Sequence, residues 1–271
     1  MYSHGYRENE RDNAVKRTKK KRRKKNKVKS GLLLLFITAI ALIAVLVLSL
    51  TVFFKISNFK VVGNTKYTTD EILSAVDIKE GDNLFLASEA KISDALRSKL
   101  PFIDEVKIKR ILPDTLQITV GETTEEVCFV SNGRFYTANT KGKIISEVAS
   151  VPQNLIAFIV PDTTVFGIGK AVSFASERES ELFNSYMVMI SKNGYDVTSV
   201  NISDPYNSYM KYEDRLIVKF GSSSYFEEKA DYFSASLSGI EDGIMGIYDL
   251  SGWKPQNNQP VLTYCDISNY E

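Results

Sequence analysis

Acid–base and metal chemistry most often rest on histidine, and the chain has one, His4. With that residue in a basic N-terminal stretch, the remainder can form no Ser-His-Asp triad, no Cys-His pair and no His-based metal site. Cys128 and Cys265, the two cysteines, cannot make a zinc site by themselves, and no phosphate-cradling loop of the G-x-x-x-x-G-K-[ST] kind is present. A disulfide between them and two separate thiols are both compatible with the pattern. One nucleophile pattern does occur: Ser88-Glu89-Ala90-Lys91 matches the S-x-x-K of penicillin-binding enzymes. Its partner motifs Ser-Asp-Asn and Lys-Thr-Gly are missing, and Ser88 directly precedes a helical pattern, so a helix cap beside a solvated Lys91 is the simpler reading. The acidic pairs Asp104-Glu105, Glu125-Glu126 and Glu227-Glu228 are sequence neighbours. Adjacent strand residues face opposite ways, which suits no catalytic couple. These residues predict no enzyme, no metal and no cofactor.

The elements around them begin with Gly31 to Phe54, 24 residues without a charge. As a helix it would be about 36 Å long, against a bilayer hydrocarbon core of about 30 Å. It is too long for a signal-peptide core, and a buried helix of a soluble protein would carry a polar side. Residues 1–30 hold 13 Lys or Arg, seven in the run Lys19 to Lys25, against three acids, a net +10. The rest carries 21 basic and 30 acidic residues, a net −9. This asymmetry predicts a disordered, cytoplasmic basic tail that lies on anionic headgroups rather than nucleic acid, with everything past the span outside.

Outside, Ile56 to Gly63 reads as a strand, and the capping box Thr68-x-x-Glu71 opens a helix over Asp70 to Val76. Leu84 and Phe85 look like plugs into the core. A helix capped by Ser88 repeats Ile92, Leu96 and Leu100 and stops at Pro101. Alternating strands around Val106 and Ile108, and around Leu116, Ile118 and Val120, flank a turn at Leu112-Pro113-Asp114. Further strands are expected at Glu126 to Ser131, Arg134 to Ala138, Lys143 to Glu147 and Leu155 to Val160, then a capped helix from Glu177 to Asn193 ending at Gly194. Strands at Val197 to Ile202 and Leu216 to Phe220, a helix at Tyr225 to Leu237, a strand at Gly243 to Leu250 and a last one at Val261 to Cys265 complete an α+β chain.

The residues NFKVVGNTKYTTDEI, GDNLF, LPFIDEVKIKR and LPDTLQITV, in the order β-α-α-β-β, resemble a POTRA domain following a single span. That combination is similar to the FtsQ/DivIB family of bacterial cell-division proteins. The stretches GRFYTANTKGKIIS and RLIVKFGSSSYFEEKADYFSASLSG…GIYDLSGW resemble the same family's second domain, so the likeness covers roughly residues 19 to 253. Two positions depart from it. Gly121-Glu122-Thr123-Thr124 stands where Glu-Arg-x-Pro is usual, and Asn139 where Asp is common. The organisation expected is a tail (1–30), a transmembrane helix (31–54), a POTRA domain (55–122), a mixed β-rich domain with two helices (123–253) and a C-terminal tail (254–271).

The resemblance implies a non-enzymatic scaffold of the divisome, in the cell membrane at the division septum. It would bind partners of the DivIC/FtsB and FtsL type, and septal cell-wall synthases. By position, partner binding carries over to Tyr225, Phe226 and Lys229, and to Ile247, Tyr248, Asp249, Leu250 and Ser251. Trp253, the only tryptophan, joins them as an aromatic anchor beside a sheet edge at Gly243 to Leu250. Ordinary core roles remain open for Tyr225, Phe226, Tyr248 and Trp253. The alternatives are a membrane-anchored peptidoglycan-modifying enzyme using Ser88, or a POTRA-type chaperone or receptor for unfolded strands.

Overall fold

A computed structural model describes residues 31–49, 53–241, 243–255, 260–267 and 270. The basic tail, His4 and the part of the apolar run at 50–52 lie outside the described residues. Helix α1, Gly31–Ser49, is long and apolar enough to cross a membrane, and none of it is buried within the chain. A core helix of a soluble protein would be mostly covered.

Past α1 come β1 (Asn58–Val62), α2 (Thr69–Ala75), α3 (Glu89–Lys99), β2 (Ile103–Ile111) and β3 (Thr115–Glu122), the strands forming a sheet of order β1-β3-β2. Both helices start where the sequence places caps. The backbone N–H of Thr68 donates to the Glu71 carboxylate at 2.8 Å, and that of Glu71 donates back to Thr68 Oγ1 at 3.2 Å. Ser88 Oγ accepts from the Lys91 N–H at 3.5 Å, so the S-x-x-K serine is a helix cap. Leu84 is fully buried, but Phe85 is 46% exposed. The expected pair of plugs is thus a single plug. Asn83 Oδ1 accepts the N–H groups of Phe85 and Leu86 at 2.9 and 3.3 Å, and this turn sends those two side chains outward.

The remaining elements are β4 (Val127–Ser131), β5 (Arg134–Ala138), β6 (Ile144–Val148), β7 (Ile156–Ile159), α4 (Glu177–Asn193), β8 (Val197–Asn201), β9 (Ser208–Tyr212), β10 (Leu216–Gly221), α5 (Phe226–Ser236), a 3-10 turn (Leu237–Gly239), β11 (Gly246–Asp249) and β12 (Val261–Tyr264). They build one mixed sheet in the order β12-β11-β10-β9-β8-β7-β4-β5-β6. The pairs β4·β7, β7·β8 and β10·β11 are parallel. Parallel neighbours need a crossover: α4 supplies it for β7·β8, α5 for β10·β11, and the β5–β6 hairpin with the chain after it for β4·β7. The apolar sides of α4 and α5 share one core with the sheet, where Phe183 packs 5.3 Å from Phe129 and 5.1 Å from Phe158.

Helix α4 begins with half of a capping box. Ser176 Oγ accepts from the Glu179 N–H at 3.4 Å, whereas the Glu179 carboxylate reaches one residue further back, to the Ala175 N–H at 3.1 Å. At its far end Gly194 takes the left-handed conformation (φ 63°) and closes on the Ile190 carbonyl at 2.9 Å.

By packing, the chain divides into two compact units. Of the described residues, one unit combines those from Gly31 to Phe59 with Lys79–Ala87 and Arg110–Leu116; the other holds Lys60–Ile78, Ser88–Lys109 and those from Gln117 onward. Both thiols are free. Cys128 is buried on β4, and β12, which precedes Cys265, lies six strand positions away in the sheet, of the order of 29 Å at ordinary strand spacing, far beyond disulfide reach.

Candidate functional site

The residues singled out from sequence gather where β10, α5, β11 and β12 meet. Strand β10 runs into Phe220 and Gly221, the chain turns at Ser222 to Ser224, and α5 starts at Phe226. Tyr225 carries that turn in the left-handed region (φ 55°) and is 48% exposed. Its neighbour Phe226 goes the other way, stacking on Phe220 at 4.6 Å and meeting Tyr186 edge-on at 4.8 Å. One turn later Lys229 is 1% exposed and donates from Nζ to the Phe220 carbonyl at 2.6 Å. This ammonium binds the first turn of α5 to the end of β10. Burial pushes its pKa down, with the Asp249 charge pulling it back up.

Strand β11 pairs with β10 through Ile217↔Ile247, Val218↔Tyr248 and Lys219↔Asp249. Its alternation buries Tyr248 and, just beyond, Leu250 on the helix side, leaving Ile247 and Asp249 half-buried. Tyr248 packs 5.7 Å from Phe233, and burial raises its phenol pKa despite a hydrogen bond with Ser236. The strand stops because Asp249 Oδ1 takes the Ser251 N–H at 2.8 Å, turning exposed Ser251 and Gly252 to the surface. Half-buried Trp253 then lies 5.5 Å from Tyr232 on α5.

The sheet edge differs from the sequence expectation. β11 is an inner strand: β12 adds to it antiparallel, with Gly246↔Tyr264, Ile247↔Thr263, Tyr248↔Leu262 and Asp249↔Val261. Gly246 permits the approach, since a Cβ there would sit 2.4 Å from the Thr263 carbonyl oxygen. The outer edge is therefore β12, whose Val261 and Tyr264 are 60% and 67% exposed. The expected strand at Gly243 to Leu250 is correspondingly shorter, starting at Gly246, where the ladder to β12 begins.

The nine residues are thus close together in the fold but unequal in access. Tyr225 and Ser251 are open, and Ile247, Asp249 and Trp253 are half-open. Phe226, Lys229, Tyr248 and Leu250 are interior. Sequence reasoning missed that Val261 and Tyr264 form the rim; the alternation of Val261 to Cys265 was the available signal. A groove of about 280 Å³ lies beside this region, between α4 and α5, with Met189, Phe226 and Ala230 among its lining residues and a Lys192–Asp231 ion pair at 3.7 Å. What the junction presents is aromatic surface beside strand backbone that no other strand pairs among the described residues.

An apolar helix followed by a three-stranded β-α-α-β-β module and a mixed sheet defines a POTRA-bearing protein with one candidate span. The family model of the FtsQ-type POTRA domain matches residues 54–123. DivIB of Clostridium botulinum (strain Hall) is 27% identical over 206 residues, covering 73% of this chain and 77% of that protein. DivIB of Clostridium acetobutylicum is 26% identical over 153 residues, covering 56% and 61%. FtsQ of Corynebacterium glutamicum is 25% identical over 190 residues, covering 68% and 78%. The solved major extracytoplasmic domain of DivIB from Geobacillus stearothermophilus matches at 9% identity and a TM-score of 0.28, over 46% of this chain and 98% of that one, a likeness too slight to argue from. Over residues 54–123 the chain carries an FtsQ-type POTRA domain, and over most of its length it is similar to the bacterial cell-division proteins DivIB and FtsQ.

Proposed function

We propose that the chain is a non-enzymatic, single-pass scaffold of the divisome. Its basic tail is cytoplasmic, and residues 55–122 and 123–253 work outside the membrane at the septum as POTRA and β-domains. There it holds membrane partners of the DivIC/FtsB and FtsL type and helps to regulate septal cell-wall synthesis. The homologues' role in cell division and the run of positive charge before the apolar helix support this reading. The observation that supports the binding site is the outer edge of β12, which no strand among the described residues pairs and which offers backbone N–H and C=O groups to an added strand. Tyr225, Ile247, Asp249, Ser251 and Trp253 then supply side-chain contacts, and Phe226, Lys229, Tyr248 and Leu250 hold the junction in shape from within.

The test is co-purification of the full chain with co-expressed DivIC- and FtsL-type proteins. Charges on an edge strand oppose strand addition. Val261→Lys with Tyr264→Lys should therefore weaken capture at least about tenfold, ~1.4 kcal/mol, while leaving the fold intact. Capture undiminished by both charges would remove β12 as the site.

A further inference from the structure

The unit that contains α1 also carries exposed apolar side chains that the scaffold function does not use. Phe53 is 72% exposed, Phe85 46%, Leu86 79% and Leu112 57%. They lie on three separate segments that the backbone ties together. The Leu84 N–H donates to the Phe54 carbonyl at 2.8 Å, and the Phe54 and Phe85 rings meet edge-on at 5.1 Å. The Arg110 guanidinium donates to the Leu84 and Ala87 carbonyls at 3.0 and 2.7 Å, fixing both ends of the loop that holds Phe85 and Leu86. The Ser57 and Asn58 N–H groups donate to the Asp114 carbonyl at 2.9 and 3.3 Å, which brings the β2–β3 hairpin tip, with Leu112, to the same place. These outward positions are held by hydrogen bonds at several points.

What covers them follows from chain continuity. Phe53 is the fourth residue after Ser49, so it lies within about 14 Å of the end of α1 even if the intervening chain is fully extended. The apolar run itself continues unbroken to Phe54. If α1 spans a bilayer, Phe53 and Phe54 are at its surface, and the hydrogen bonds above tie the segments that carry Phe85, Leu86 and Leu112 to the chain just after it. Phe53–Phe59, Lys79–Ala87 and Arg110–Leu116 contain Lys55, Lys79 and Arg110 against Glu80, Asp82 and Asp114, no net charge. Attraction to anionic headgroups is therefore not the driving force; apolar side chains near the headgroup–acyl boundary are.

We propose that Phe53, Phe85, Leu86 and Leu112 form an apolar collar that dips into the outer leaflet around the exit of α1. The collar seats the POTRA module on the bilayer instead of leaving it on a free tether. The inference rests on α1 being a membrane span.

The test uses the full chain in phosphatidylcholine vesicles, with Cys265→Ser and a bimane-labelled cysteine from Leu86→Cys or, separately, Leu112→Cys. Both positions are exposed, so neither change disturbs the fold. Lipids carrying a nitroxide near the headgroup should quench most of the bimane emission at both sites, equally with and without phosphatidylglycerol and at low and high salt. Labels that are open to aqueous iodide and untouched by the lipid quencher would overturn the collar, as would quenching that needs anionic lipid. Self-quenching relieved by dilution with unlabelled chain would assign the patch to a second copy and overturn it too. Carbonate extraction of the same vesicles separates the two levels: release of the chain refutes the span, whereas a retained chain with wet labels refutes only the collar.

Discussion

An ammonium group taken out of water must recover its lost hydration from fixed dipoles, or its pKa falls. Lys229 shows both effects, donating to the Phe220 carbonyl while burial lowers its pKa from the usual 10.5. The sign of the stability effect follows. Between the lowered native pKa and 10.5 the unfolded chain binds more protons than the folded one, so this group makes stability rise with pH across that window. Below the window the cost of burying the charge is present in full. In Lys229→Met that rise should vanish, so chemical denaturation of the two proteins from pH 7 to 10.5 should show wild type gaining on the variant as pH increases. A constant difference over the range would mean that Lys229 does not titrate with folding. At neutral pH the variant also strands the Phe220 carbonyl, which costs about 1–3 kcal/mol. Lys229 was expected at an interface by the resemblance alone; lysines are rarely buried, and its residue type gave no warning that a carbonyl at the end of β10 would be its partner.

Among elements, β12 decides how the site works, and Gly246 decides whether β12 can pair. A side chain at 246 would run into the Thr263 carbonyl, so Gly246→Val should push β12 off β11. Forced overpacking of this kind typically costs 1–3 kcal/mol, about the loss expected here. Limited proteolysis should show the chain beyond Lys254 cut sooner, with β10 still protected, while Gly252→Ala, where nothing lies within 4 Å of the new Cβ, serves as the neutral control. Equal cutting of wild type and Gly246→Val would show that the ladder tolerates the clash. Elements with strong local signals were legible in the sequence: the Thr68 box, the Gly194 stop, and the period of Leu182, Phe183, Tyr186 and Ile190. β9 was not, because Ser208–Tyr212 alternates around one aliphatic residue, Met210, and its strand character depends on pairing with β8 and β10. The choice of β12 over β11 as the edge is likewise a long-range decision, made where Gly246 meets the Thr263 backbone 17 positions later, which local pattern cannot encode. Leu84 and Phe85 are equally apolar, and only the Asn83 turn determines which one is buried.

At the scale of the whole molecule, the second compact unit joins most of the POTRA segment to the large sheet, and both Glu122 and Asn139 lie at the join. Glu122, in the stretch Gly121-Glu122-Thr123-Thr124, accepts the N–H groups of Thr65 and Lys66 at 2.9 Å. Asn139 accepts the Lys141 and Lys143 N–H groups at 3.0 and 2.9 Å and donates from Nδ2 to Thr123 Oγ1 at 3.3 Å. The loop so shaped places Lys143, 8% exposed, with Nζ donating to the carbonyl of fully buried Ile103 at 2.5 Å. Beside it Lys141 pairs with Asp104 at 2.8 Å, but that exposed pair is worth no more than ~1 kcal/mol. Lys143 is therefore the stronger fastener, because its removal leaves a buried carbonyl without a donor. Lys143→Met should cost about 1–3 kcal/mol, and the loss should be local to the join. Hydrogen exchange on the full chain in detergent micelles should show the Ile103 to Val106 amides losing protection while those of Val127 to Phe129 keep theirs. If both stretches weaken together, the two parts of the unit unfold as one and the join is no separate point of weakness; if neither changes, packing such as that of Gly169 against Ser98 holds it without the lysine.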